Sequence, residues 1–141
     1  MDETRRWRRE TMCKIRVLLA DNHDSILTQV RAVLAEEFEV VCAVHNGIEA
    51  VAEVNHLDPD VLVIDISMPV LGGLEAASRL RSKRRTKIVF LTVHEDEDFI
   101  TAAFAAGGSG YVIKSDIATD LIPAIRDVLE GRIYISQSIS R

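Results

Sequence analysis

Short apolar runs alternate with helically spaced apolar residues along the chain. The runs are rich in β-branched residues, as buried strands are, and cover residues 15–20, 38–44, 61–66, 88–92 and 110–113. Between them apolar residues recur every three or four positions and predict helices, the first of which has Asp24 or Ser25 as its N-cap. The third helix is predicted over about Gly73 to Arg81. The fifth runs from Ala118 to Leu129, with Pro123 near its first turn.

This alternation predicts the fold class. The run at 61–66 is apolar on both faces until Asp65, which is typical of a parallel strand covered by helices on both sides. Five βα units with right-handed crossovers predict an α/β fold, a (βα)5 doubly wound five-stranded parallel sheet with helices on both faces, flavodoxin-like. In such sheets the ligand crevice lies beyond the carboxyl ends of the strands.

Composition limits the class of protein further. A chain of 141 residues with 48% hydrophobic residues fits one globular domain, and no apolar run is long enough to span a membrane. Cys13 and Cys42 are too few for a disulfide scaffold, so we expect reduced thiols and a cytoplasmic protein. Residues 1–16 carry a net charge of +3 against −5 for the whole chain, which leaves −8 for the rest. We interpret residues 1–13 as a basic, mobile N-terminal arm.

Polar residues stand at four predicted strand ends. Asp21 follows the first strand, Asp65 ends the third, Thr92 ends the fourth and Lys114 follows the fifth. Each alone is compatible with a cap, a turn or a solvated side chain, but together they form a plausible phosphoryl site. A carboxylate can attack phosphorus, Mg²⁺ prefers carboxylate oxygens, and lysine and threonine can bind phosphoryl oxygens.

The chain also resembles a known family. The segments IRVLLADNH, PDVLVIDISMPVLGGLEA, KIVFLTVHED and AAGGSGYVIKSDIATDLIPAIRDVLEGRIYIS resemble the receiver domain of bacterial two-component response regulators, and most closely its NarL/FixJ (LuxR-type) branch. The resemblance covers about residues 14–135 and implies a CheY-like fold. It implies a phosphorylation-activated signalling switch that is not an enzyme, beyond slow self-dephosphorylation.

The resemblance also implies roles for individual residues. Asp65 would accept a phosphoryl group from a sensor histidine kinase. Mg²⁺ would be held by Asp21, by Asp65 and by the backbone carbonyl of Ser67. Three further residues would bind the phosphoryl group or respond to it, namely Thr92, Lys114 and the switch aromatic Tyr111, which is alternatively a half-buried strand tyrosine.

One position departs from the family pattern. Asn22 stands where the family has a second, metal-binding acid, so the site loses one negative charge and Mg²⁺ should bind more weakly. An alternative is therefore a degenerate receiver that acts as a phosphorylation-independent interaction module. A phosphatase of the haloacid dehalogenase type is disfavoured, because Ser67 stands where its general acid is needed.

The remaining expectations concern organisation and partners. The receiver domain is assigned to residues 14–131, and residues 132–141 would begin a linker to an absent output domain, although a stand-alone receiver is also possible. We expect a phosphorylation-dependent homodimer, no direct nucleic-acid contact by this chain and no membrane contact. His94 is interpreted as a solvated loop histidine, and no transition-metal site is predicted for His23 or His45. A basic loop is interpreted as solvated and comprises Arg79, Arg81, Lys83, Arg84, Arg85 and Lys87.

Overall fold

The computed structural model describes residues 14–82 and 85–139. The predicted arm, Cys13, and Lys83 and Arg84 of the basic loop lie outside the described residues. Six parallel strands form one sheet in the order β2-β1-β3-β4-β5-β6. They are β1 (Arg16–Ala20), β2 (Glu39–Val44), β3 (Val61–Asp65), β4 (Lys87–Thr92), β5 (Gly110–Ile113) and β6 (Tyr134–Ile135).

Five α-helices cover the two faces of this sheet. They are α1 (Asp24–Leu34), α2 (Gly47–Leu57), α3 (Gly73–Arg79), α4 (Glu97–Ala105) and α5 (Ile117–Leu129). Alternate residues of each strand point to opposite faces, so Val17 and Leu19 of β1 pack with α1 and α5, whereas Leu18 and Ala20 pack with α2, α3 and α4. Every residue of the central strand β3 is buried between the two helix layers. The predicted α/β class, with helices on both faces of a parallel sheet, is confirmed.

The sheet has a sixth strand that the sequence pattern did not predict. The two residues of β6 pair in parallel with Gly110 and Tyr111 of β5. The segment 132–139, which we assigned to a linker, therefore lies against the edge of the sheet. It ends in a short 3-10 turn, Gln137–Ile139. Two residues are too few to show a period, which is why the pattern gave no sign of this strand.

Three helix boundaries differ from prediction. The N-cap of α1 is His23, neither Asp24 nor Ser25, and its side chain makes no capping hydrogen bond. Helix α3 ends at Arg79, two residues before the predicted end. Pro123 is the seventh residue of α5, which begins at Ile117 directly after a 3-10 turn, so the proline lies inside the helix and not near its first turn. The proline deprives the helix of one hydrogen bond in its second turn.

No helix in the described part of the chain is long and apolar enough to cross a membrane. Cys42 on β2 is a free thiol whose pKa is raised, mainly by burial, so it is a structural rather than a reactive cysteine.

Candidate functional site

The carboxyl ends of the strands bring the predicted polar residues to one edge of the sheet. Asp21 directly follows β1, Asp65 is the last residue of β3, Thr92 is the last residue of β4, and Lys114 directly follows β5. Asp21, Asp65 and Thr92 are 2%, 4% and 0% exposed. Polar groups this deeply buried need partners, and the site supplies them.

Lys114 lies between the two carboxylates. Its Nζ is 2.9 Å from Asp21 Oδ2 and 3.5 Å from Asp65 Oδ2, and its side chain is only 12% exposed. The three side chains together carry a formal charge of −1. A single ammonium therefore holds two buried carboxylates together, and the site keeps an excess of negative charge that a cation could balance.

The surroundings of Asp65 disfavour the ionised form of its carboxyl group. Burial raises the pKa of its carboxyl group above the ordinary value of 3.8, and the neighbouring Asp21 raises it further. The Lys114 ammonium and the N–H of Ser67 act in the opposite direction, but burial is the largest cause. A cation bound beside Asp65 would offset part of the cost of burying its charge.

Two glycines position the loop that follows Asp65. The N–H of Gly73, at the start of α3, donates to the carbonyl of Ile66 at 2.8 Å, and a Cβ at Gly73 would collide with the carbonyl oxygen of Asp65. The N–H of Gly47, at the start of α2, donates to Leu71 O at 2.9 Å, where a side chain would also collide. Close backbone contacts that only glycine permits therefore fix the loop beside the carboxylate.

The same loop contains a strained residue. Val70 has φ of 69° and is 80% exposed. A β-branched residue in the left-handed region is a genuine outlier, because its side chain crowds the backbone. The Gly47 and Gly73 contacts on either side hold the loop in this conformation.

Thr92, His94 and Tyr111 form a connected group beside the carboxylates. The Thr92 hydroxyl accepts a hydrogen bond from His94 N at 3.1 Å, and the Tyr111 hydroxyl donates to His94 O at 2.8 Å. Tyr111 is fully buried, not half-buried, and burial raises its pKa to about 12. This hydrogen bond ties the Tyr111 side chain to the loop after β4. If that loop moves, the hydrogen bond must break or the tyrosine ring must move with the loop.

His94 lies in the loop between β4 and α4, as predicted, but its side chain packs against the protein. Its ring stacks on Phe99 of α4 with centroids 3.9 Å apart, and it is only half-exposed. Its Nε2 lies 3.4 Å from Ser67 Oγ. Stacking on α4 directs the ring toward the loop after Asp65, and sequence spacing alone could not show this. The proposed role of the Ser67 carbonyl stays a prediction.

His23 joins the site, which the sequence analysis did not anticipate. Its backbone N–H donates to Asp21 Oδ1 at 2.8 Å, and its Nδ1 lies 3.2 Å from the same oxygen. Among the described residues, Asp21, His23 and Asp65 form the group of potential metal ligands, with one atom from each within 4.8 Å of the others. Asn22 is exposed between Asp21 and His23, and its weakening effect on Mg²⁺ binding stays a prediction.

The segment after α5 holds the carboxyl-terminal end of β5, next to the site. Ser136 is fully buried; its N–H donates to Tyr111 O at 2.9 Å, and its Oγ accepts from Ile113 N at 2.9 Å. Ser138 Oγ lies 2.5 Å from Asp116 Oδ2, in the turn that begins at Lys114. Residues 134–138 therefore fix the strand that carries Tyr111 and delivers Lys114 to the site.

Two arginines of the basic loop form ion pairs within the domain. Arg85 contacts Asp58 at 3.4 Å and Asp60 at 3.0 Å, and Arg79 lies 3.9 Å from Glu75. These arginines are exposed, in agreement with a solvated loop, and such surface pairs contribute little to stability.

The donor set suits a hard cation. Asp21 Oδ2 is buried and makes no hydrogen bond, although Lys114 Nζ lies 2.9 Å away, because that approach falls outside hydrogen-bond geometry. Lys114 thus balances the charge of Asp21, while Asp21 Oδ2 keeps lone pairs free for a metal ion. Asp21 and Asp65 thus offer anionic oxygens at one point, as Mg²⁺ requires.

The structure is a doubly wound sheet with two buried carboxylates and a lysine at the carboxyl ends of its strands. Comparison with known proteins identifies the family. The family model of the response regulator receiver domain matches residues 17–126. The chain belongs to the response regulator receiver domain family of two-component systems. The predicted resemblance to the NarL/FixJ branch is confirmed.

Similar proteins come from several bacteria. The response regulator GacA of Pseudomonas aeruginosa is 38% identical over 130 residues, which cover 90% of this chain and 61% of the relative. The transcriptional regulatory protein DegU of Brevibacillus brevis is 35% identical, with 90% of this chain and 55% of the relative covered. The chain thus spans little more than half the length of these curated relatives.

Solved structures agree with this assignment. A LuxR-family two-component response regulator from Aurantimonas sp. SI85-9A1 superposes with a TM-score of 0.84 at 32% identity, covering 89% of this chain and 92% of that one. The isolated receiver domain of RcsB from Salmonella enterica, in the presence of the phosphomimetic BeF3-, gives a TM-score of 0.81 at 25% identity, with 91% and 97% covered.

Proposed function

We propose that Asp65 accepts a phosphoryl group from the phosphohistidine of a sensor histidine kinase, and that the chain thereby acts as a phosphorylation-operated switch. The observation that carries this proposal is the placement of Asp65, buried at the end of a central strand, beside Asp21 and Lys114. The membership of the chain in the receiver family supports the same role.

The residues of the site have separate tasks in this transfer. A carboxylate oxygen of Asp65 attacks phosphorus, the phosphorus–nitrogen bond of the phosphohistidine breaks, and the imidazole keeps the electron pair. Lys114 neutralises charge on the phosphoryl oxygens, and the Thr92 hydroxyl donates a hydrogen bond to one of them. Because the group stays on Asp65 until slow hydrolysis, the chain carries the phosphoryl group and does not turn over a substrate.

Mg²⁺ is the proposed cofactor of the transfer, held by Asp21 and Asp65 and supplying positive charge to the transferring group. The Ser67 carbonyl and the weaker ligand Asn22 complete its proposed protein ligands. The buried Asp21 Oδ2, which lacks a hydrogen bond, supports this assignment.

The output of the switch is proposed from the relatives. GacA is a response regulator, DegU is a transcriptional regulatory protein, and RcsB dimers have been solved bound to DNA. We propose that this chain controls transcription in the cytoplasm through a phosphorylation-dependent homodimer and a DNA-binding domain outside the sequence described. Tyr111 and Thr92, joined through His94, form the proposed path from the phosphorylated site to that interface.

Intact-mass measurement after incubation with acetyl phosphate and Mg²⁺ tests the central proposal. We expect a mass gain of one phosphoryl group that disappears in Asp65→Asn and persists in the control Asp98→Asn, whose side chain is exposed in the first turn of α4. Absence of an adduct on the folded wild-type chain at any Mg²⁺ concentration would overturn it. That result would favour the phosphorylation-independent module, for which Asn22 is the only support.

A further inference from the structure

The segment that follows β6 holds the backbone on both sides of Lys114. Before the lysine, Ser136 Oγ accepts a hydrogen bond from Ile113 N at 2.9 Å. After it, Ser138 Oγ donates to Asp116 Oδ2 at 2.5 Å, in the 3-10 turn that begins at the lysine. While both bonds are made, the main chain between them has little freedom to move.

Ser136 takes the place of a main-chain partner that the sheet does not provide. Strand β6 is only two residues long and pairs with Gly110 and Tyr111, so its ladder stops before Ile113. Ile113 is 3% exposed, and its buried N–H needs an acceptor. The Ser136 hydroxyl is that acceptor, and the Ser136 N–H donates to Tyr111 O at 2.9 Å. The end of β5 therefore depends on a hydroxyl at this fully buried position.

A third bond attaches the same segment to α5. The N–H of Gln137 donates to Asp120 Oδ2 at 3.2 Å, and the other oxygen of Asp120 accepts from the Thr119 hydroxyl at 2.9 Å. Asp120 lies in the first turn of α5 and is only 7% exposed. Because burial of a carboxylate is costly unless it is hydrogen-bonded, attachment of the segment stabilises this residue. The segment is thus held by the strand, the turn and the helix that surround Lys114.

Lys114 needs a fixed backbone because its ammonium serves two partners at once. Its Nζ lies 2.9 Å from Asp21 Oδ2 and 3.5 Å from Asp65 Oδ2. A lysine side chain is a flexible four-carbon stem, so the point that its ammonium occupies depends on where the main chain starts it. A misplacement of about 1 Å in a reacting site can cost about 100-fold in rate. Bonds that fix the main chain at Lys114 therefore affect the chemistry at Asp65.

We propose that Ser136 and Ser138 are positioning residues for phosphoryl transfer. Ser136 places Lys114 through the end of β5, and Ser138 does so through the turn that follows. The inference rests on the proposed function, in which Lys114 neutralises charge on the phosphoryl oxygens. The reactivity of Asp65 thereby depends on a segment that contributes no side chain to the site.

The rate of phosphorylation by acetyl phosphate and Mg²⁺, followed by intact mass, tests the proposal on the full chain. We expect Ser136→Ala to slow the reaction about fivefold, the factor to which the loss of one hydrogen bond corresponds at 25 °C. Ser138→Ala should slow it less, because the Ser138 side chain is exposed. For the same reason Ser138→Ala keeps the test decisive if Ser136→Ala does not fold. Unchanged rates in both serine variants would overturn the proposal.

Thr86→Ala is the matched control. The Thr86 hydroxyl is buried and donates to Pro59 O at 2.7 Å, at the amino-terminal end of β4, so this change removes a bond of the same kind away from the site. We expect it to lower Tm, as Ser136→Ala does, but to leave the phosphorylation rate unchanged. Equal slowing in Thr86→Ala and Ser136→Ala would count against positioning, because general destabilisation would then explain both.

A second measurement does not depend on phosphorylation. Acetylation of lysines by N-hydroxysuccinimidyl acetate, read by peptide mass spectrometry, reports how accessible the Lys114 ammonium is; its side chain is only 12% exposed. Relative to Lys87, at the opposite end of the sheet, we expect Lys114 to react about fivefold faster in Ser136→Ala and no faster in Thr86→Ala.

The two measurements separate this inference from the proposed function. An unchanged labelling rate of Lys114 in Ser136→Ala would overturn the positioning role, even if Asp65 is phosphorylated in the wild type. A wild type that acetyl phosphate does not modify would refute the proposed function, whereas faster labelling of Lys114 in Ser136→Ala would still show that the serine positions the lysine.

Discussion

Replacing Asp65 by asparagine is expected to raise the stability of the protein while abolishing phosphorylation. Asp65 is 4% exposed, lies 3.5 Å from Lys114 Nζ, and has a carboxylate oxygen within 4.8 Å of Asp21. Its raised pKa shows that the folded protein disfavours the charge. Asparagine has nearly the same shape and removes that charge.

The size of the effect follows from four contributions. With an effective dielectric constant of about 20, attraction to Lys114 contributes about 5 kcal/mol and repulsion from Asp21 removes at least about 3.5 kcal/mol. The remaining attraction, at most about 1.5 kcal/mol, is smaller than the several kcal/mol that burial of a carboxylate costs. After a cost of about 1–3 kcal/mol for burying the amide, we expect a net gain of about 2 kcal/mol. That corresponds to roughly 8 °C in Tm.

Thermal unfolding in metal-free buffer measures this difference. Asp60→Asn is the control, because Asp60 accepts hydrogen bonds from Arg16 N at 2.8 Å and Arg85 at 3.0 Å, and loss of its charge should destabilise the fold. A lower Tm for Asp65→Asn than for the wild type would refute the reasoning, since the Lys114 attraction would then outweigh burial.

The stability difference between the wild type and Asp65→Asn should depend on pH. A carboxyl group whose pKa is raised in the folded protein binds its proton more tightly there than in the unfolded chain. Wild-type stability is therefore lost as the pH rises from the ordinary value of 3.8 through the raised folded value. The Tm advantage of Asp65→Asn should be largest at neutral pH and should narrow as the pH falls through that window.

Three further changes test separate parts of the site. Tyr111→Phe removes the buried hydrogen bond to His94 O and should lower the free energy of unfolding by about 1 kcal/mol in urea titrations. Gly73→Ala places a Cβ against the carbonyl oxygen of Asp65 and should cost about 1–3 kcal/mol and, if the proposed function holds, slow phosphorylation by acetyl phosphate. Gly72→Ala, whose Cβ would stand 3.2 Å from its nearest neighbour, should be milder. Asn22→Asp should tighten Mg²⁺ binding in calorimetry, and an unchanged affinity would contradict the weakening assigned to Asn22.

The sequence allowed the sheet and the strand-end residues to be predicted because both follow from local patterns. The five predicted strands are long enough to show as apolar runs, and parallel strands must deliver their last residues to one edge. Asp21, Asp65 and Lys114 therefore lie together, as the position of each at a strand end implied.

The features that the sequence did not reveal depend on contacts between segments. His23 reaches Asp21 through the turn that starts α1, and His94 is held by stacking on Phe99. Neither contact has a periodic signature. The prediction for Pro123 was wrong for a different reason: even with the predicted start at Ala118 it would be the sixth residue, beyond the first turn of α5.

The short sixth strand has a consequence for how this domain behaves alone. Without β6, the whole of β5 would be an open sheet edge, and such edges recruit strands from other molecules and lead to aggregation. Tyr134 and Ser136 satisfy backbone groups of Ser109 and Tyr111 with bonds of 3.0 and 2.9 Å. A fragment cut after Gly131 would keep every residue of the carboxylate site but lose this cover. Fragments intended for solution work should therefore end beyond Ile139.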